Sequence, residues 1–116
     1  MKTLYIIPDY KGTPSYGIEQ SDYINMYVMN AGDSVVETIP AGAGFALFNA
    51  TGNFLCRFNT PCPANANITD GSGGELNPVV RRLKDTNSFP YTTINIYAIQ
   101  SCTIMIAYYA AQLPGH

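Results

Sequence analysis

The 116-residue sequence predicts an all-β fold, namely a single-domain β-sandwich or jelly roll with long loops and an extended N-terminal arm. Three observations lead to this fold class. Hydrophobic residues alternate with a period of two rather than 3.6, roughly seven or eight short runs are rich in β-branched and aromatic residues, and no stretch gives a convincing helix. A chain of this length forms one domain with one core. We expect residues 1–22 to form the arm and residues 23–110 the sandwich core.

Within the expected arm, residues 8–20 lack strand periodicity and are interrupted by proline and glycine. Tyrosine is frequent there, and its side chain buries apolar area while keeping a hydroxyl for a hydrogen bond, which favours interfaces. We therefore expect the arm to lie on a neighbouring subunit through Tyr5, Tyr10 and Tyr16. A carbohydrate-binding face is the competing interpretation, although the sequence contains no Trp, the residue that most often forms a sugar platform.

Three pairs of strand-like runs follow, each pair separated by a short turn: residues 23–29 with 34–39, 45–49 with 54–58, and 92–99 with 103–109. The intervening residues are mostly Asn, Asp, Gly, Ser and Thr, which suit tight turns, so we predict three β-hairpins. Both faces of the last pair are largely apolar, which is typical of strands that are covered on both sides. The Gly-rich residues 40–44 predict a sharp corner between the first and second pairs.

A long loop from residue 59 to residue 77 ends in the most charged stretch of the chain. Asp70, Glu75 and Asn77 are followed closely by Arg81 and Arg82. One interpretation is a solvated loop with a surface ion pair, which contributes little to stability. The other is a docking loop, in which Asp70 and Glu75 meet basic groups of a partner while Arg81 and Arg82 meet acidic ones. All five residues are candidate partner-binding residues.

The composition excludes several classes of protein. Charged residues make up 12% of the chain, against roughly 25% in an ordinary soluble domain, while the hydrophobic fraction is an ordinary 47%. The composition therefore excludes a disordered chain, because disordered chains are charge-rich and apolar-poor. With six basic and eight acidic residues, the chain has no electrostatic footprint for nucleic acid or for an anionic membrane. Charge depletion together with nine tyrosines indicates buried interface area.

The sequence offers no export signal, no spanning segment and no catalytic or metal-binding constellation. The only histidine is His116, the last residue, so the body of the domain lacks the base of a Ser-His or Cys-His nucleophile. We expect no cofactor and no enzymatic activity. The three cysteines, Cys56, Cys62 and Cys102, form no C-x-x-C pair. Cys56 and Cys102 lie in strand-like runs and are expected to be small buried apolar residues. A Cys56–Cys62 disulfide is geometrically possible, but a reducing compartment argues against it.

Two segments, residues 39–54 and 68–78, together with a C-terminal strand pair that ends in Tyr108-Tyr109, resemble small structural proteins of tailed bacteriophages. The resemblance covers roughly residues 34–110 and its motifs are compositional. It implies a virion component, most often a capsid cement or decoration protein. Such a protein would be made in the host cytoplasm and bind the major capsid protein or other virion proteins at the capsid surface.

The resemblance also implies a small homo-oligomer, with a trimer favoured, and offers no catalytic residues. Two alternatives stay open. The first is a phage tail, fibre or head–tail adaptor component, and the second is a receptor- or glycan-binding β module.

Overall fold

The computed structural model describes residues 1–2, 20–65, 67–85 and 87–110. Eight strands lie within these ranges, and none of the described residues is helical, so none belongs to a helix that could cross a membrane. The strands are β1 Ile24–Met29, β2 Ser34–Thr38, β3 Ala43–Ala50, β4 Phe54–Phe58, β5 Glu75–Leu76, β6 Val80–Arg82, β7 Thr93–Ala98 and β8 Cys102–Ala110. The predicted all-β class is confirmed.

The strands form two four-stranded antiparallel sheets. Sheet 1 has the order β1-β8-β3-β6 and sheet 2 the order β2-β7-β4-β5. The pairings are nested, because β1 pairs with β8, β2 with β7, β3 with β6 and β4 with β5. The chain is thus one long hairpin of eight strands wound into two sheets, which is the jelly-roll form of a β-sandwich.

The three predicted hairpins are wrong in their pairing, although their strands are in place. Each short turn carries the chain from one sheet to the other, so that β1 and β2, β3 and β4, and β7 and β8 lie in different sheets. The physical reason lies far away in the sequence. The nine-residue β8 is apolar on both faces and pairs with β1 on one side and with β3 on the other. Strands β1, β3 and β8 are therefore held together in one sheet, and each turn becomes a corner between the two sheets.

The hydrophobic core lies between the sheets. Alternate residues of β7 and β8 point inward, and those of β3 and β4 meet them from either side. The core residues that these four strands contribute are Ala46, Phe48, Phe54, Cys56, Ile94, Ile96, Ala98, Cys102, Ile104, Ile106 and Tyr108.

The loops gather at two ends of the sandwich. The connections 30–33, 51–53, 77–79 and 99–101 form what we call the turn end, where Asn53 contacts both Asn77 and Gln100. The connections 39–42, 59–74 and 83–92 lie at the opposite end, where the Thr92 N–H donates to the Asn59 side chain at 2.7 Å.

The described part of the 59–74 loop is held against the outer face of sheet 2 by the chain itself. The Arg57 guanidinium donates to the carbonyl oxygens of Ser72 and Gly73. Leu55 faces outward from β4 and is nevertheless only 5% exposed. A Cβ at Gly74 would lie 2.7 Å from Cys62 Sγ and 2.9 Å from Leu55 Cβ, so the close approach of the loop requires glycine there.

The predicted arm, including Tyr5, Tyr10 and Tyr16, falls almost entirely outside the described residues. Its two ends are described. The Lys2 N–H donates to Asp22 Oδ1 at 3.0 Å, and the Lys2 carbonyl accepts from the Ala110 N–H at 2.7 Å. The Met1 ammonium group lies 3.6 Å from Asp22 Oδ2. Lys2 and Asp22 therefore lie together near the end of β8.

Candidate interaction surface

An amide network organises the turn end. Asn77 adopts φ +47°, a left-handed conformation that Asn tolerates better than most residues. Its Oδ1 accepts from the Phe54 N–H at 3.0 Å, and its Nδ2 donates to Asn53 Oδ1 at 2.8 Å. The Asn53 N–H in turn donates to Gln100 Oε1 at 2.9 Å. Asn77, predicted as a docking residue, thus has its side chain occupied in linking two turns.

The β3–β4 turn packs tightly against the β7–β8 turn. Thr51 exchanges two hydrogen bonds with Thr103, since its N–H donates to the Thr103 carbonyl at 3.1 Å and its Oγ1 accepts from the Thr103 N–H at 2.9 Å. A Cβ at Gly52 would lie 3.0 Å from Cys102 Cβ and 3.3 Å from the Ser101 carbonyl oxygen, so only glycine fits without displacing a neighbour. The local sequence therefore fixes the shape of this surface.

Two concave regions adjoin at the turn end. The first, the amide cleft, has a volume of about 310 Å³ and is lined by Phe48, Asn49, Ala50, Thr51, Gly52, Asn53, Phe54, Asn77, Pro78 and Val79. The second, the apolar groove, has a volume of about 250 Å³ on the outer face of sheet 1 and is lined by Met26, Asn49, Ala50, Thr51, Thr103 and Met105. The two share residues 49–51, and no charged side chain lines either of them.

The surface so formed is suited to an uncharged partner. Asn49 lies at the junction, is exposed, and makes no side-chain hydrogen bond to another described residue, so its amide is available as donor and acceptor. The rings of Phe48 and Phe54 are 4% and 1% exposed, so neither offers a stacking platform for a sugar ring. Neutral amides beside an apolar groove can bind the backbone and apolar side chains of another protein.

Beyond the apolar groove lies an exposed apolar strip on β1. Ile24, Met26 and Val28 point away from the core and are 37%, 63% and 85% exposed. Across the register they face Ala107, Met105 and Thr103 of β8. Because β1 is an outer strand of sheet 1 among the described strands, this strip runs along an edge of the sandwich.

Two of the predicted docking residues, Glu75 and Arg81, form an ion pair with each other. The Arg81 guanidinium donates to both carboxylate oxygens of Glu75, at 2.8 Å from Nε and 2.7 Å from the terminal nitrogen. This hydrogen bond raises the pKa of Arg81. The pair connects β6 of sheet 1 to β5 of sheet 2 and stays open to solvent, with side chains 41% and 45% exposed. Arg82 donates instead to the Asp85 carbonyl at 3.0 Å.

Asp70 lies apart from this ion pair, in the loop over sheet 2. Its Oδ1 accepts from the Ser72 N–H at 3.0 Å and from the Ser72 hydroxyl at 2.6 Å, which lowers the pKa of its carboxyl. The structure therefore brings Glu75 and Arg81 together and does not bring Asp70 to them. A docking role for Asp70, Glu75, Asn77, Arg81 and Arg82 stays a prediction.

A buried carboxylate joins the two sheets on the side where β1 and β2 are the outer strands. Glu37 of β2 is 4% exposed and accepts from Asn25 Nδ2 at 2.9 Å, from the Tyr27 hydroxyl at 2.7 Å and from the Tyr108 hydroxyl. Burial, with the hydrogen bond to Glu37 and its charge, raises the pKa of Tyr27 to about 12 and raises that of Tyr108 as well. The cluster satisfies a buried charge with three neutral donors.

The buried Glu37 and the exposed β1 strip were not among the functional residues predicted from the sequence. Glu37 is the only acidic residue between Asp33 and Asp70, and it shares the inward parity of Val35 on β2, which was an available signal. The exposure of Met26 and Val28 had no comparable signal, because an alternating apolar strand does not reveal which face is covered.

The cysteines and candidate metal ligands are accounted for as follows. All three cysteines are free, and burial raises the pKa of each thiol, to about 12 for Cys56. In the described ranges, no group of three or more His, Cys, Asp or Glu side chains could hold a metal ion.

Comparison with protein-family models, with curated proteins and with solved structures gave no significant match. The function must therefore be inferred from the geometry of this chain.

Proposed function

We propose that this chain is a non-enzymatic virion structural protein, a capsid cement or decoration protein that binds and stabilises an assembled shell. The observation that carries the proposal is the charge-free concave surface formed by the amide cleft and the apolar groove. Jelly rolls are frequent in viral capsid proteins, and the resemblance of residues 34–110 to small phage structural proteins supports the same class.

The chemistry of the surface fits a permanent protein contact. Burying unpaired charges is costly, so a surface that is covered for the lifetime of a particle is best built from neutral groups. The amides of Asn49 and Asn53 can pair with backbone groups of a shell protein, and Met105 can adapt to its apolar side chains. Binding to the assembled shell alone would stabilise that state by mass action.

The first experiment measures binding to purified shells of the phage whose genome encodes the chain. We expect co-sedimentation with assembled shells that is nearly constant between about 0.05 and 0.5 M salt, because a neutral contact is not screened. A steep loss of binding with salt would contradict the cleft and groove as the contact, and would favour the charged stretch around Glu75 and Arg81.

A pair of variants locates the contact. Asn49→Arg places a charge at the junction of the cleft and the groove, and we expect it to weaken shell binding at least tenfold, about 1.4 kcal/mol. Thr38→Arg adds the same charge to an exposed position on β2 and is expected to bind like the wild type. Equal binding by the two variants would contradict the assignment.

Two further readouts separate the cement function from its alternatives. Shells stripped of this protein should lose resistance to heat or pressure and regain it on addition of the wild-type chain. Equal resistance with and without it would refute the cement function. Immunogold labelling confined to the tail would identify a tail, fibre or adaptor component instead, and specific binding on a glycan array would identify a receptor module.

A further inference from the structure

The four outer strands of the two sheets differ in how they are protected against pairing with another chain. Native proteins protect such edges with short strands, charged side chains, proline or inward-pointing charges. Strands β5 and β6, at the side of the sandwich away from β1, are short and charged. Strand β5 has two residues including Glu75, and β6 has three including Arg81 and Arg82. Strand β2 has the inward-pointing Glu37. The six residues of β1, Ile-Asn-Met-Tyr-Val-Met, include neither a charge nor a proline.

The backbone of β1 presents its free groups together with its exposed side chains. The Tyr108 N–H donates to the Tyr23 carbonyl at 2.9 Å, so odd-numbered residues direct their N–H and C=O groups toward β8. In an antiparallel ladder this direction alternates along the strand. The N–H and C=O groups of Ile24, Met26 and Val28 therefore point away from β8, and the same three residues have their side chains exposed on the outer face.

From this arrangement we infer that β1 pairs with β1 of a second copy of this chain, antiparallel about a twofold axis at Met26. Opposed residues in an antiparallel pair lie on the same face, so the axis must pass through a residue rather than between two. Centred on Met26, the register places Met26 against Met26 of the second copy and Ile24 against Val28 of the second copy. Asn25 and Tyr27 then oppose each other on the inner face.

A second copy fits this edge because the strand is complementary to itself. All outer-face contacts in the register are apolar on apolar, no charge meets its own copy, and the three residues with free backbone groups satisfy one another. Sheet 1 would continue across the axis as one eight-stranded sheet. An isologous contact of this kind closes after two copies, so it produces a dimer rather than the trimer that the resemblance implies. The inference does not depend on the proposed function.

Disulfide trapping tests the register. In a Cys62→Ser background, which leaves only the two buried native cysteines, Met26→Cys should form a covalent dimer under mild oxidation, because opposed Cα atoms lie about 5.5 Å apart. Ile24→Cys is the control. Its symmetry mate lies four residues away along the strand, about 13 Å, which is beyond disulfide reach. Equal trapping of the two variants, or no trapping of Met26→Cys, would overturn the register.

Sedimentation of the full chain tests the dimer itself. We expect wild-type dimers, and a Met26→Lys variant whose association is at least tenfold weaker. Leu76→Lys is the matched control, since Leu76 is 57% exposed on β5 against 63% for Met26, and it should stay dimeric. A wild-type chain that is monomeric up to about 0.5 mM would refute the proposal, because its dissociation constant would then be in the millimolar range, about −4 kcal/mol.

Discussion

The two open sides of the sandwich, where an outer strand of one sheet faces an outer strand of the other, are closed in different ways. On the β1–β2 side, the buried carboxylate of Glu37 accepts hydrogen bonds from Asn25, Tyr27 and Tyr108. On the β5–β6 side, Glu75 and Arg81 form an ion pair in solvent. Each side thus uses one glutamate to connect the sheets, but only the first has removed it from water.

The difference determines what each side presents outward. The β5–β6 side exposes charge along two very short strands, which discourages strand pairing. The β1–β2 side keeps its charge inside and leaves the backbone and apolar side chains of β1 bare. The β5–β6 side is thus suited to stay free of other chains, and we expect the β1–β2 side to be covered.

The largest expected effect is on the buried glutamate. Glu37→Ala should lower the free energy of unfolding by about 3 kcal/mol or more, because three donors lose their acceptor in a site that excludes water. Glu37→Gln, which keeps one acceptor oxygen, should lose clearly less. Chemical denaturation measures both values. A loss below about 1 kcal/mol for Glu37→Ala would mean that the cluster does not hold the β1–β2 side together.

The pH dependence of the free energy of unfolding tests the same Glu37 cluster through Tyr27. Tyr27 ionises near pH 10 when unfolded and at about 12 when folded, so above pH 10 the folded state retains a proton that the unfolded state has lost. Stability therefore declines as the pH rises from about 10 to 12. The slope from Tyr27 should stay below about 1 kcal/mol per pH unit, because the side chain is only half-buried and solvent screens it.

Tyr27→Phe isolates this contribution. The difference between its unfolding free energy and that of the wild type should be constant from pH 7 to 9 and should then change in favour of the variant between pH 10 and 12. Parallel curves over the whole range would show that Tyr27 is not the group that titrates.

The smallest effect is expected on the β5–β6 side. Glu75→Gln removes the charge of a solvent-exposed pair and should cost between about 0.2 and 1 kcal/mol, with the difference shrinking at high salt. Arg81→Gln should cost about the same, and the double variant should show the pair energy by a thermodynamic cycle. A loss as large as that of Glu37→Ala would abolish the distinction between the two sides.

Much of the fold could be predicted from the sequence, and the limits have physical causes. Period-two alternation located β1 to β4, β7 and β8, whereas the short β5 and β6 were not predicted from the sequence. The sheet pairing was predicted wrongly because the residues of the 30–33 turn suit a corner as well as a hairpin, and only the distant β8 decides between them.

The candidate surfaces were harder to predict than the fold. Glu75 and Arg81 are six residues apart on different strands, so their pairing depends on how β5 and β6 meet across the two sheets. Asn49, Asn53 and Asn77 form one cleft only because the turns that contain them gather at one end. The exposure of β1 depends on what the rest of the chain leaves uncovered, which local patterning does not contain.

We claim that β1 is an edge left for a second chain, and hydrogen exchange at single amides tests this. The N–H groups of Met26 and Val28 point outward from β1, and that of Val36 points outward from β2 by the same alternation. Over a concentration range that spans dimer dissociation, we predict that Met26 and Val28 become protected as concentration rises while Val36 continues to exchange rapidly. Exchange at Met26 and Val28 as fast as at Val36 throughout, or protection independent of concentration, would contradict the claim.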